Sequence, residues 1–163
     1  MSMQTTLSLL VRARQSAVSP FGGRGVAEYA YSNEFASGTG DNQADKCTKS
    51  THAVAGSGST TVDLRALIAA DGSAANGAEL VAIAVTIPDD ASGVITLSDA
   101  SSNGVGLFSG TTDGLELPAG STFPLIFPLD GSKPMSGSAK DITFANAGGS
   151  STTVTLVTLQ RSA

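Results

Sequence analysis

The sequence predicts an all-β protein: an antiparallel β-sandwich or barrel, jelly-roll-like, of about eight to ten short strands with an extended N-terminal arm. Two observations lead to this prediction. Short runs rich in Val, Ile, Thr and Leu recur along the chain, separated by turn residues roughly every 8–12 positions. Convincing amphipathic helices and internal repeats are absent from the sequence. The pattern does not determine the order of the strands.

The N-terminal region combines a strand-like run with a glycine-rich segment. Residues 5–14, TTLSLLVRAR, alternate as a half-covered strand does, and residues 19–25, SPFGGRG, interrupt the pattern. Two interpretations remain open: a docking arm with a hinge, residues 1–25, before a single sandwich domain, residues 26–163, or a first strand and long turn of the same sheet. For the arm, the predicted partner-binding residues are Leu7, Leu9, Val11, Arg12, Arg14, Phe21 and Arg24.

The next predicted elements follow from alternation and turn residues. Residues 26–35 have strand character, and residues 60–68 alternate before a bend or short helix near Leu67. Residues 79–88, ELVAIAVTIP, are apolar on both faces, which indicates a central strand covered on both sides. The turn PDDASG predicts a hairpin between this strand and residues 93–99. Further strands are predicted within residues 114–127, 140–146 and 152–160.

The composition favours a structural or binding protein over an enzyme. Charged residues make up 14% of the 163 residues, against about 25% in ordinary soluble domains. With no Trp, two Tyr and six Phe, the core must be built from aliphatic side chains. The net charge is −5, and the basic residues concentrate in the first 65 positions. This distribution argues against nucleic acid as a partner, which would require a basic patch.

Targeting signals and cysteine usage also restrict the function. One cysteine excludes an internal disulfide and fits assembly in a reducing compartment. The sequence has no apolar run of about 18 residues, so no membrane-spanning helix is predicted. In the N-terminal segment the charges follow the apolar centre, the reverse of a secretory signal peptide. We therefore expect assembly in the cytoplasm of the producing cell and no membrane partner.

The stretch ASGTGDNQADKCTKSTH, residues 36–52, gathers the rare residue types, but its spacing disfavours metal binding. Asp41, Gln43 and Asp45 begin like a calcium loop, yet Lys46 and His52 occupy the positions where that loop needs Gly and Glu. No cofactor and no metal site are predicted. The expected structure is a tight Gly-Thr-Gly turn followed by a self-capping polar run.

Cys47 and His52 are the only cysteine and the only histidine in the chain. Zinc requires three or four N or S ligands, so these two could bind it only at a site shared between copies. In a strand, two residues five positions apart lie on opposite faces, which disfavours a catalytic dyad. No catalytic residues are predicted, and the protein is expected not to be an enzyme.

Residues 32–64, SNEFASGTGDNQADKCTKSTHAVAGSGSTTVDL, resemble a segment of small virion proteins of tailed bacteriophages. The similarity lies in the Gly-Thr-Gly turn, the Asn-Gln-Ala-Asp-Lys run at residues 42–46 and the strand at residues 62–64. The final Gly-rich turn and β-branched strand, ANAGGSSTTVTLVTL, are similar too. Asp41 and Cys47 depart from the family's pattern, in which small or apolar residues are expected.

The resemblance implies a structural virion protein, a capsid decoration (cement) protein on the capsid exterior. Its partner would be the major capsid protein, and it would form a homo-oligomer, with a trimer favoured. The alternative is a minor tail or head-fibre component that binds a host receptor or glycan. The predicted interface loop comprises Gly38, Thr39, Gly40, Asp41, Asn42, Gln43, Asp45 and Lys46.

Overall fold

A computed structural model describes residues 5–16, 24–41, 43–110, 113–127 and 132–163, with side chains from residue 34 onward. The described residues form twelve strands and one short 3₁₀ turn. The chain divides into two compact units, Met1–Ser37 and Gly38–Ala163. The predicted all-β class with packed antiparallel sheets is confirmed.

The N-terminal unit contains a long antiparallel strand pair. Strand β1 spans Thr5–Ser16 and strand β2 spans Arg24–Ser37. Their register runs from Thr5 opposite Phe35 to Ser16 opposite Arg24 without a bulge. Residues 26–35, predicted to begin the sandwich, therefore group with residues 5–16. Most of the predicted hinge, including Phe21, lies outside the described residues.

The larger unit is a sandwich of two antiparallel sheets. The described strands of this unit are β3 Gln43–Ala44, β4 Lys46–Val54, β5 Ser59–Asp63, β6 Glu79–Thr86, β7 Ile95–Asp99, β8 Gly114–Leu117, β9 Thr122–Ile126, β10 Lys133–Pro134, β11 Asp141–Asn146 and β12 Thr152–Arg161. Sheet I has the order β10-β6-β12-β4, with β9 also paired to β6, and sheet II has the order β5-β11-β7-β8. The short strand β3 belongs to neither sheet and follows β2 in the order β1-β2-β3.

The prediction of a central strand at residues 79–88 is confirmed. Strand β6 pairs with β12 along one edge and with β9 and β10 along the other. Its residues Leu80, Val81, Ala82 and Ile83 are all buried. A strand buried on both faces has no polar alternation, which explains the apolar run in the sequence.

The predicted hairpin between residues 79–88 and 93–99 is wrong. The two strands, β6 and β7, belong to different sheets, so the turn carries the chain across the sandwich. The amide of Ile87 instead donates to the Ser121 carbonyl in the turn between β8 and β9. A proline and a glycine near a turn show that the chain reverses, but not which strand it pairs with afterwards.

The interior between the sheets is mainly aliphatic, as the composition predicts. Phe144 of β11 is the one aromatic side chain among the fully buried members of this core, which come from both sheets. Each fully buried Leu, Ile or Val contributes roughly 1.5–3 kcal/mol relative to exposure. The core residues with no exposed surface are Val54, Leu64, Leu80, Val85, Ile95, Ile142, Phe144, Val154 and Leu156.

Residues 64–78 form an irregular segment beside β4 and β12. It begins with a 3₁₀ turn, Leu64–Ala66, whose N-cap is Asp63; the Asp63 carboxylate accepts from the amides of Arg65 and Ala66. The sequence predicted a bend or short helix at nearly the same position, near Leu67. The segment pairs with the sandwich where Thr48 of β4 bridges Ala69 and where the Ala78 amide donates to the Arg161 carbonyl.

Candidate functional site

The Gly-Thr-Gly turn at residues 38–40 is held in place by the side chain of Gln43. Gln43 Oε1 accepts from the Gly40 amide at 2.8 Å, and the Gln43 amide donates to the Gly40 carbonyl at 3.1 Å. Gly38 has a φ of 146°, and a Cβ there would overlap the Gln43 side-chain amide. The positive φ therefore favours glycine at position 38, and a side chain there would displace the Gln43 amide from the turn. The predicted self-capped turn is confirmed.

The last strand anchors this turn through a buried arginine. Arg161, 7% exposed, donates from Nη1 to the Gly40 carbonyl at 2.6 Å. Its Nε donates to Glu79 Oε2 at 2.6 Å, and its Nη2 contacts the same oxygen and Ser132 Oγ. The hydrogen bond from Ser132, together with Arg161, lowers the pKa of Glu79 although burial opposes this. The guanidinium is therefore satisfied by a carboxylate, a hydroxyl and the turn.

Asp45 makes a second link between the predicted interface loop and the C-terminal strand. Its Oδ1 accepts from the Ser162 amide at 2.8 Å, and its own amide donates to the Gln160 carbonyl at 3.2 Å. A carboxylate that accepts from a backbone amide in this way fixes the path of the chain. The structure thus gives Asp45 a local structural role.

Lys46 connects β4 to the irregular segment. Its Nζ donates to Asp71 Oδ2 at 3.1 Å and to Ser73 Oγ at 2.9 Å. The pKa of Asp71 is lowered, first by the hydrogen bonds from the Ser73 hydroxyl and amide and then by Lys46. Asp71 is half-exposed, so solvent screening keeps the contribution of this ion pair small.

The remaining described members of the interface loop lie at the surface. Thr39, Gly40 and Asp41 are exposed, whereas Asn42 lies outside the described residues. The self-capped turn holds these exposed positions in one backbone conformation. Their role as an interface stays a prediction.

The predicted arm residues fall on the N-terminal strand pair. Leu7, Leu9, Val11, Arg12 and Arg14 belong to β1, and Arg24 is the first residue of β2. Among them, Arg12 stands opposite Glu28 in the register, and Val11 stands opposite Tyr29. Their binding to a partner also stays a prediction.

Cys47 and His52 lie in the same strand, β4, at positions of opposite parity, so the two side chains are on opposite faces. His52 Nε2 is 2.8 Å from Ser50 Oγ, and its ring stacks on Phe144 at a centroid distance of 6.4 Å. Burial lowers the pKa of His52 and raises the pKa of Cys47. A thiol that resists ionisation is a poor nucleophile, and the geometry does not pair it with the imidazole.

The oxygen atoms that resemble the start of a calcium loop are used elsewhere. Gln43 caps the Gly-Thr-Gly turn, and Asp45 binds the Ser162 amide. In the part of the chain that the structure describes, no group of three or more His, Cys, Asp or Glu side chains could hold a metal ion.

Asp99 organises a loop that sequence reasoning missed. This residue ends β7 and is 6% exposed. Its Oδ1 accepts from the amides of Gly106 and Leu107 at 2.8 and 2.9 Å, and its Oδ2 accepts from the Phe108 amide at 2.8 Å. The signal in the sequence is an aspartate followed by a loop of small residues, since such a loop has backbone amides that need acceptors.

Sequence reasoning also missed a group of hydrogen-bonded polar side chains that is buried in the fold. Thr48 Oγ1 lies 2.8 Å from Thr158 Oγ1, and Gln160 Nε2 donates to Thr158 Oγ1 at 2.9 Å and to the Leu64 carbonyl at 2.8 Å. Gln160 Oε1 accepts from the Gly77 amide at 3.2 Å. Thr48, Thr158 and Gln160 are at most 1% exposed. We call these three residues the polar row.

Threonine hydroxyl groups pair across neighbouring strands at outward positions of both sheets. In sheet I, Thr86 Oγ1 lies 3.2 Å from Thr122 Oγ1 across the β6–β9 pair. In sheet II, Thr61 Oγ1 lies 3.2 Å from Thr143 Oγ1 across the β5–β11 pair. Short hydroxyl side chains lose little conformational entropy when another surface covers them, compared with Lys, Glu or Gln.

No family model matches the chain, and no curated protein matches it either. Within the described residues, no helix has the length and apolar character that crossing a membrane requires.

Proposed function

We propose that this chain is a structural virion protein of a tailed bacteriophage, a capsid decoration (cement) protein that binds the outer capsid and stabilises the shell. The observation that carries the proposal is the division of the chain into a sandwich and a separate long strand pair. A decoration protein needs a rigid body and an extended element that reaches a neighbouring subunit, and β1 with β2 fits the second role.

The surface of the sandwich supports the same role. Hydroxyl pairs on the outward positions of both sheets form low-entropy surfaces that can pack against a capsid protein. The exposed and internally braced Gly-Thr-Gly turn adds a preorganised loop, which lowers the entropic cost of binding. Stabilisation of a shell requires buried interface area and no chemical step.

The test compares capsids with and without this protein. Particles that lack it should disassemble at lower temperature, and the purified chain added back should bind them and restore the original temperature. A matched pair of variants sharpens the test: Thr39→Arg alters the exposed turn, and Ser57→Arg alters the exposed turn between β4 and β5. We expect the first variant to bind more weakly than the second.

Two results would reject the proposal: capsids without the protein that are equally stable, or a purified chain that never binds them. The second candidate is a tail or head-fibre component that binds a receptor or glycan. The hydroxyl-bearing outward positions favour it, since hydroxyl groups can hydrogen-bond to sugars. Electron microscopy of the native particle and a glycan array would distinguish the two.

A further inference from the structure

Strand β1 is the edge strand of its sheet, which has the order β1-β2-β3. It pairs with β2 over twelve positions without a bulge, and within the described residues no strand pairs with its other side. Along a strand, alternate backbone groups face each side, so about half of its donors and acceptors face the open edge. Such an edge can accept another strand.

The sequence of β1 lacks most of the features that prevent an edge strand from pairing with another chain. Thr5–Ser16 contains no proline, no glycine and no acidic residue, and its two charges, Arg12 and Arg14, lie in its second half. The first seven residues, Thr5–Val11, are uncharged and include three leucines. Natural edges that avoid pairing carry charges, prolines or bulges, so this segment favours pairing.

The strand pair also gains stability from additional strands. In the sheet β1-β2-β3 the third strand has only two residues, Gln43–Ala44, so β1 and β2 are a two-stranded ribbon over most of their length. Two-stranded ribbons are marginally stable in water, whereas three or more strands with an apolar face are stable. The register places Leu9 opposite Tyr31 and Val11 opposite Tyr29. Further strands would add backbone hydrogen bonds to this ribbon.

We propose that β1 pairs antiparallel with β1 of a second copy of this chain, about a two-fold axis near the middle of Thr5–Val11. The two sheets then join into one continuous sheet whose central strands have the order β2-β1-β1-β2. A two-fold contact uses the same surface on both copies, and the neutral segment is complementary to itself because leucines meet leucines or threonines.

Charge decides between the antiparallel and the parallel arrangement. With the axis at Ser8, the two Arg12 residues stand about 27 Å apart along the strands, well beyond the Debye length of about 8 Å. In a parallel in-register pair, Arg12 would meet Arg12 and Arg14 would meet Arg14 at the strand spacing of about 4.8 Å. The antiparallel arrangement avoids this repulsion.

This inference goes beyond the proposed virion role and does not depend on it. It also differs from the trimer that the phage resemblance favours, since a two-fold edge contact produces pairs. If the chain forms dimers but does not bind capsids, the proposed function is rejected and the β1 pairing stands. If the chain binds capsids as a monomer or trimer, the β1 pairing is rejected and the proposed function stands.

The first experiment measures the mass of the full-length chain by sedimentation equilibrium between about 1 and 100 µM. The monomer mass is 16.2 kDa, and we expect twice that value at the upper end. The double substitution Ser8→Lys and Leu10→Lys adds charge to the edge and should return the mass to that of the monomer. The matched control, Ala30→Lys and Ser32→Lys, changes the residues opposite these two on β2 and should still pair. A wild-type monomer, a trimer, or an edge variant that pairs like the wild type would overturn the proposal.

The second experiment is independent of any folding defect in the lysine variants. In a Cys47→Ala background, single cysteines are placed at Leu7, Ser8, Leu9 and Leu10, and disulfide-linked dimers are quantified. An antiparallel contact about a two-fold axis brings one position, or two adjacent positions, next to its own copy. Cross-linking at all four positions would indicate a parallel pair, and cross-linking at none would exclude the contact; both results overturn the proposal.

Discussion

Strand β12 passes through two chemically different halves of the same interior. Val154 and Leu156 belong to the aliphatic core shared with sheet II, whereas Thr158 and Gln160 belong to the polar row. All four residues are 0% exposed. Equally buried positions on one strand therefore carry apolar side chains in one half and polar side chains in the other.

The difference comes from what each half faces. Residues of sheet II have satisfied their backbone groups in their own ladder, so they present only side chains to Val154 and Leu156. The irregular segment at residues 64–78 has no complete ladder, and its Leu64 carbonyl and Gly77 amide reach Gln160 instead. A strand facing a sheet can be apolar, but a strand facing a loop must supply hydrogen bonds.

The largest loss of stability is expected from a substitution in the aliphatic half of the strand. Leu156→Ala removes a fully buried side chain from the core and should lower the free energy of unfolding by about 2–5 kcal/mol, because of lost burial and the cavity left behind. Urea unfolding measures it. The half-buried neighbour Val157→Ala serves as the control and should cost less. Equal losses for the two variants would contradict the assignment of Leu156 to the core.

The second largest loss of stability is expected from a substitution in the polar half of the strand. Gln160→Met keeps the side-chain volume but leaves the Leu64 carbonyl and the Gly77 amide without their partner, at a cost of about 1–3 kcal/mol for each buried group left unpaired. Hydrogen exchange at the Gly77 amide should accelerate beyond the change in global stability. Leu156→Ala is the control, since its effect on this amide should follow global unfolding alone. Unchanged protection at Gly77 would contradict the role of Gln160.

A smaller effect is expected from the hydroxyl pair in the polar row. Thr48→Val should cost about 1 kcal/mol, because the Thr158 hydroxyl loses one of its two hydrogen-bond partners. Thr158→Val should cost more, because it leaves the Thr48 hydroxyl without this partner and also removes one acceptor of Gln160 Nε2. The double variant replaces both hydroxyl groups with methyl groups and should cost less than the sum of the two. Urea unfolding of the four proteins gives the coupling energy. Strictly additive losses would show that the two hydroxyl groups act independently.

The smallest effect concerns His52, which borders the aliphatic half through its contact with Phe144. Burial holds its pKa in the folded chain below the ordinary value of 6.5, so the unfolded chain takes up the proton first as pH falls. Stability should be full above pH 6.5 and decline as pH falls from there toward the pKa of the folded state. Thermal unfolding between about pH 7 and 5 measures this, before most carboxylates titrate. His52→Asn should remove the decline, and an identical decline in that variant would assign it to other groups.

Several elements could be predicted from the sequence because their signal is local. The apolar run at residues 79–88 indicated a central strand, and the Gly-Thr-Gly turn with Gln43 follows from contacts within six positions. The opposite faces of Cys47 and His52 depend only on strand periodicity. In each case the residues involved are close in the chain, so local geometry is sufficient.

The remaining features depend on residues far apart in the chain. The turn after β6 was interpreted as a hairpin, but the next strand joins the opposite sheet. The Arg161 contact with Gly40 spans 121 positions, and the Thr48–Thr158 contact spans 110. A threonine or an arginine in an alternating strand has the same appearance whether it faces solvent or a buried partner.

The sequence by itself therefore determined the all-β class, the positions of most strands, the aliphatic character of the core and the self-capped turn. Tertiary structure alone decided the strand order, the crossings between sheets, the loop around Asp99 and the polar row beside residues 64–78. The physical reason is that periodicity and turn chemistry operate over a few residues, whereas a buried polar group is stable only where folding delivers a distant partner.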